Sequence, residues 1–334
     1  MEPAPRRSLT APLTVALALA CALLLSACGG AAKVPTGPAG VPGVPEPKAS
    51  DFPGSNGRSI SDLAKTLQQG PHAALANSVF LTGQHQRLAF GLLDDNNKFV
   101  YAPAAVYVAR TISSPATGPY PALLDSIVPA SAFRSQTTAN DPNAIKAVYY
   151  TDVPLARTGA EAALVVVNIG GKEYGSLTGF EVAKASPIPN VGQLPPRIDT
   201  PTVASVGGNV KSIDTRVPPD DMHAVSFKNA VGHKPVAIIF ATPQLCQSRV
   251  CGPVVDLAEQ LKSSYGNRMT FIHQEVYANN VVADGLRPQM TAFHLETEPW
   301  LFTLDRHGRI AARLEGSFGV KEFTQAVQTA LAQP

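Results

Sequence analysis

Cysteine and tryptophan are scarce in this chain, four and one respectively among 334 residues. Charge is also sparse at 16% of residues, with 27 basic against 25 acidic side chains. No basic run and no aromatic-basic stripe stands out, which argues against a nucleic-acid partner. The sequence has no Walker motif, no dinucleotide fingerprint and no Gly-x-Ser-x-Gly elbow, so those routes to nucleotide binding and acyl transfer are excluded. Asp94-Asp95-Asn96-Asn97 lacks the glycine and the closing glutamate of a calcium loop and reads as a hairpin turn. No spacing calls for a cofactor or a metal. What the chain has in quantity is proline, 30 residues, and glycine, 26.

Arg6 and Arg7 precede an apolar stretch from Leu9 to Leu25, broken by Thr10, Pro12 and Thr14. It closes on Leu25-Ser26-Ala27-Cys28-Gly29. A basic patch, an apolar run and small residues at the end describe a secretory signal. Leu25 to Cys28 resembles the lipobox of bacterial lipoproteins, which implies a signal over residues 1–27, lipidation of Cys28 and anchoring to the cell membrane outside the cytoplasm. An uncleaved membrane anchor is the alternative. The residue after the cysteine is Gly29, not the aspartate that would signal inner-membrane retention in a two-membrane bacterium. Cys21 then leaves with the signal and Cys28 is acylated. Cys246 and Cys251 remain as the only thiols, and a close pair in an oxidising compartment means a disulfide, structural or catalytic.

Residues 28–58 hold Pro, Gly, Ala and Ser with little to bury and read as a flexible tether. Ser59 to Gln68 carries Ile60, Leu63, Ala64 and Leu67 on one helical face. Within 59–185, candidate strands are Ser78–Leu81, Arg87–Leu93, Phe99–Ala109, Ala147–Val153, Ala162–Ile169 and Gly179–Ala183, separated by turn signals. Short strands with no helical period between them predict an all-β sandwich, immunoglobulin-like in architecture, since the Cys-Trp-Cys core is missing. A second linker, 186–221, contains seven prolines from Pro187 to Pro219. Exposure and relative domain motion are the expectation there.

The last segment, 222–334, alternates strands and helices. Pro235 to Ala241 is a continuous apolar run suited to a strand buried on both faces. Cys246 and Cys251 follow, then a helix with Val254, Val255, Ala258 and Leu261 on one face. Met269–Val276 is a strand, Trp300–Leu304 and Arg309–Leu314 form a hairpin around Asp305-Arg306-His307-Gly308, and the last helix buries Val320, Phe323, Val327 and Leu331. This order, with a cysteine pair where the first strand meets its helix, resembles the thioredoxin fold. Thr297-Glu298-Pro299-Trp300 matches the place where that family carries a cis-proline facing its cysteines, and Cys251-Gly252-Pro253 puts Gly-Pro at the helix start. The resemblance covers about a third of the chain. It implies an α/β thioredoxin-like domain and disulfide exchange with protein thiol clients and a redox partner.

Thioredoxins separate their cysteines by two residues, whereas here Gln247-Ser248-Arg249-Val250 intervene. Positions five apart in a regular helix lie about 8.6 Å apart at Cα, beyond the roughly 4.4–6.8 Å a disulfide spans. Either Cys246 lies in the loop before the helix, or the first turn unwinds to form the bond. A cysteine ahead of a helix faces unpaired N–H groups that stabilise thiolate, with Arg249 a further contributor. Cys246 is then the attacking thiol, Cys251 the resolving one, and Glu298 a candidate proton acceptor. The competing class is a non-enzymatic lipoprotein in which a structural Cys246–Cys251 bond pins a scaffold or binding domain. Two other readings stay open. Thr242-Pro243-Gln244-Leu245-Cys246 resembles single-chain peroxiredoxins, but Pro243 and Ile239 stand where that family's threonine and proline belong. Sco-type copper chaperones share the fold, but His294 and the cysteine spacing depart from theirs. His273 reads as a packed histidine or one that approaches the thiols, and Trp300 as core.

Overall fold

The computed structural model describes residues 1–2, 43–141 and 143–333. Cys28 and the signal lie outside the described residues. Among those described, no helix is long and apolar enough to cross a membrane.

The N-terminal half is a β-sandwich. Its strands are β1 (Gln68–Gln69), β2 (His72–Leu75), β3 (Phe80–Leu81), β4 (Gly83–Leu93), β5 (Ala104–Ala109), β6 (Thr117–Ser126), β7 (Ala147–Leu155), β8 (Gly159–Ile169) and β9 (Lys172–Ala183). They pair in the order β1-β9-β8-β5-β6-β7-β4-β2, with β3 beside β9. Strand β6 belongs to both layers: its residues 117–122 pair with β5 and Leu123–Ser126 pair with β7. Alternate residues point into the space between the layers, and Leu88, Phe90, Val106, Tyr149, Val153 and Val165 meet there as one core. The short helix α1 (Ile60–Ala64), capped by Ser59, lays Ile60 and Leu63 on the opposite face of β5 and β8. Phe52 packs with them and the Tyr107 hydroxyl donates to the Pro53 carbonyl. The folded body therefore takes in residues whose composition reads as tether. The Asp94–Asn97 segment is a turn, with Asp94 accepting from the backbone N–H groups of Asn96 and Lys98.

Sequence reasoning missed β1, β2 and β6. Pro119 and Pro121 inside β6 argue against a strand, yet Pro119 falls where the β5–β6 register shifts, outside the regular ladder. The predicted strand Phe99–Ala109 begins only at Ala104, after Pro103.

The C-terminal half contains β10 (Val236–Phe240), β11 (Thr270–Gln274), β12 (Trp300–Leu304) and β13 (Ile310–Glu315) in the order β11-β10-β12-β13. Strand β10 runs parallel to β11 and antiparallel to β12. A short helix α2 (Gln136–Asn140) sits in the sandwich's β6–β7 connection, and α3 (Phe227–Ala230) leads into β10. Helix α4 (Cys251–Tyr265) crosses between β10 and β11, α5 (Pro288–Ala292) precedes β12, and α6 (Val320–Ala332) closes the chain. This β-α-β-α-β-β-α topology is thioredoxin-like. Every residue of β10 is buried, as its apolar run demands.

The two halves are not loosely strung. Arg87 of β4 pairs with Glu322 at 2.6 Å and donates to the carbonyls of Glu315 and Ser317. Asp125 of β6 accepts the backbone N–H groups of Lys321 and Glu322, satisfying two free donors at the start of α6. A Cβ on Gly316 would lie 1.5 Å from the Ala76 carbonyl oxygen, so that backbone approach requires glycine. The Pro-rich segment is equally engaged: Ile188, Ile213, Asp214, Arg216 and Asp220 are buried. The expectation of an exposed, mobile linker is thus corrected, because Arg216 and Asp220 also find partners far away in sequence, in Asp256 and His273.

Candidate functional site

The turn from β10 to α4 carries the thiols. Cys251 is the first residue of α4 and fully buried, while Cys246 lies in the preceding loop and is partly exposed. Of the two geometries the spacing allowed, the loop position is the one adopted. The left-handed backbone at Arg249 (φ 59°) folds the four intervening residues back on themselves. Both thiols are free. Their sulfurs and a carboxylate oxygen of Glu298 lie within 4.8 Å of one another.

The two sulfurs are in opposite electrostatic situations. A hydrogen bond from the Cys251 thiol favours the Cys246 thiolate and outweighs its partial burial. The Ser248 hydroxyl, at 3.2 Å, and the N–H groups of Cys251 and Val250 add to this, bringing Cys246 down to about 6. Burial drives Cys251 the other way, well above the ordinary thiol range, and the neighbouring Cys246 and Glu298 reinforce it. The helix-start donors foreseen from sequence are present. Arg249 turns elsewhere: its guanidinium faces Asp141 of the β6–β7 connection at 3.8 Å.

Glu298 directly precedes Pro299, and the bond between them is cis. Burial lifts the Glu298 carboxyl to about 8, with further push from Cys246 and Glu275, while a hydrogen bond with Tyr277 pulls the other way. Its Oε2 is buried without a hydrogen-bond partner. Pro299 is buried beside it, and Trp300 lies in the core, stacked on Phe302 with centroids 5.7 Å apart. Tyr277 and Glu275 were not singled out in the sequence, since neither lies in a recognisable motif. Their proximity to Glu298 follows from β11 and β12 flanking β10. A cleft of about 420 Å³ leads to this site between sandwich and thiol domain, lined by Leu75, Phe99, Ser248, Val250, Thr297 and Glu298 among others.

His273 does not join the thiols. It is buried on β11 with Nδ1 at 2.7 Å from Asp220 and Nε2 at 3.0 Å from the Ala241 carbonyl. Asp214 and His223 complete a sealed cluster around it. His294 is exposed, in a left-handed conformation before β12.

No family model and no curated protein matches the chain. Solved structures similar to it include a protein assigned as the thiol:disulfide interchange protein DsbE of Chlorobium tepidum. That match has 13% identity and a TM-score of 0.31, covering 43% of this chain and 99% of that one. A second is MTB dsbF in mixed oxidised and reduced forms, with 19% identity and a TM-score of 0.27, over 33% of this chain and 91% of that one. A third is the Lin-41 filamin domain, with 11% identity and a TM-score of 0.20, over 35% of this chain and 100% of that one. Likenesses this distant carry no weight about chemistry. The thioredoxin-like topology stands on the order and direction of β10 to β13.

Proposed function

We propose that the chain is an extracytoplasmic thiol-disulfide oxidoreductase, tethered to the membrane by lipid on Cys28, with Cys246 as attacking and Cys251 as resolving thiol. The observation that carries this reading is the asymmetry of the pair: one sulfur partly exposed and favoured as thiolate, the other buried and held as thiol within 4.8 Å. In the reducing direction the Cys246 thiolate attacks one sulfur of a client disulfide. A mixed disulfide forms, and the other client sulfur leaves as thiolate and takes up a proton. Cys251 then loses its proton and attacks the Cys246 sulfur. The Cys246–Cys251 bond closes, the client's second sulfur departs as a thiol, and two electrons have passed to the client. The reverse sequence oxidises a client dithiol. Glu298, lifted to about 8, is far closer to a thiol in proton affinity than an ordinary carboxylate and sits where the Cys251 proton must go.

Replacing Cys251 with Ser should strand the mixed disulfide, visible by non-reducing mass spectrometry after incubation with an oxidised client protein. Cys246→Ser should trap nothing and exchange nothing. Exchange by Cys246→Ser at the parent rate would overturn the assignment. A pair potential between about −270 and −120 mV fits this reading, whereas a value below about −300 mV fits a structural bond.

A further inference from the structure

Asp214 and Asp220 of the Pro-rich segment, with His223 just beyond it, converge on His273 of β11, and all four are buried. One ligand-type atom from each lies within 4.8 Å of the others. Hydrogen bonding accounts for His273 and the two carboxylates but not for His223. His223 Nε2 is buried and has no hydrogen-bond partner, although it points at Asp220 Oδ1 (3.3 Å) and Asp214 Oδ2 (3.6 Å). Those separations match the edges of a tetrahedron, about 3.3–3.6 Å, that follow from metal–nitrogen and metal–oxygen bonds of about 2.0–2.2 Å. His273 Nδ1 stands 3.8 Å from Asp214 Oδ1 and 2.7 Å from Asp220 Oδ2.

We infer that Asp214, Asp220, His223 and His273 form a structural site for a divalent cation of the zinc class. Two imidazoles and two carboxylates suit a first-row N/O site, and four protein ligands in a sealed pocket leave no open position for catalysis. The cation takes the place of the proton between His273 and Asp220, which passes to solvent, and the 2.7 Å contact opens toward a tetrahedral edge. His273 Nε2–H stays on the Ala241 carbonyl, the kind of outer contact that orients a ligating histidine. Both carboxylates also accept backbone N–H groups, Asp214 from Arg216 and Asp220, and Asp220 from Met222. A divalent ion balances the two buried carboxylates with both rings neutral, where an empty pocket leaves them dependent on the histidines alone. The pocket closes when residues 214–223 fold over β11, so the ion is captured during folding. The inference does not depend on redox activity at the thiols.

The test uses the full chain with all four cysteines, Cys21, Cys28, Cys246 and Cys251, replaced by Ser, so that no thiol competes for the metal. Folded in the presence of zinc and dialysed, it should retain one zinc per chain, and stripping with a chelator should lower its melting temperature. Cobalt substitution should give the visible bands of a four-coordinate nitrogen/oxygen site without thiolate charge transfer. His223→Ala removes an imidazole whose Nε2 makes no hydrogen bond, so it should lose the metal while its circular dichroism stays native. Should that variant fail to fold, the parent's zinc content and cobalt spectrum decide. A folded thiol-free chain that binds no zinc and melts alike with and without chelator overturns the site, as does zinc retained by folded His223→Ala.

Discussion

Helix α4 is left open at its tip and sealed along its side. At the tip, Cys246 and Arg249 look outward and the charges nearby are shared with solvent. One turn further on, Asp256 is wholly buried: it pairs with Arg216 at 2.8 Å and accepts from the N–H and hydroxyl of Ser135. Arg216 in turn donates to the carbonyls of Pro218 and Phe133, and Gln260 accepts the Ala130 N–H. The β6–β7 connection of the sandwich thus covers the flank of the helix and stops short of its reactive end. On the proposed function, a thiol that meets a client needs access, while a helix that holds that thiol in register needs the opposite. One element serves both because its charges are placed on different sides of the solvent boundary.

Three substitutions and profiles probe that contrast. The largest effect is expected from Asp256→Ala, which leaves Arg216 buried without its partner. Breaking such a pair should lower unfolding free energy by about 3–5 kcal/mol, read from denaturant midpoints. An unchanged midpoint would show the flank to be less sealed than its burial implies. An intermediate effect belongs to the tip and is read as rate against pH. Alkylation of Cys246 should be half-maximal near pH 6 and fall tenfold per unit below it as the thiolate disappears. Single-turnover exchange should show a second inflection near pH 8, where Glu298 loses its proton. Glu298→Gln should abolish that second inflection and leave the first in place. If both inflections survive, Glu298 has no part in moving the Cys251 proton. The smallest effect is expected from Arg249→Ala. Its ion pair with Asp141 is solvent-exposed, so stability should change by less than about 1 kcal/mol, and the alkylation midpoint should stay near 6.

The thiol domain was largely legible in the sequence because its signals are local. The apolar run of β10, the Gly-Pro start of α4 and the Asp305–Gly308 hairpin each depend on neighbours a few residues away. The cysteine spacing alone limited Cys246 to two positions. Less could be read where structure depends on distant partners. Strand β6 hides behind two prolines, one of them at a shift in its register with β5. Nothing near Asp220 in the sequence points to His273, which lies 53 residues on. A proline-rich stretch with scattered charges looks solvated until the strand that collects those charges is in place. Glu298 was noticed for its neighbour Pro299, but its proton affinity is set by burial and by the charges of Cys246 and Glu275, which are distant in sequence.

The Arg216–Asp256 pair has a consequence for autonomy. Its arginine belongs to the stretch before β10, its aspartate to α4, and the loop that wraps both belongs to the sandwich. A fragment starting at Met222 would carry α4 with Asp256 unneutralised and the Ser135 donors gone. Although the topology looks detachable at the prolines, the thiol-bearing half relies on its neighbours to cover the flank of α4.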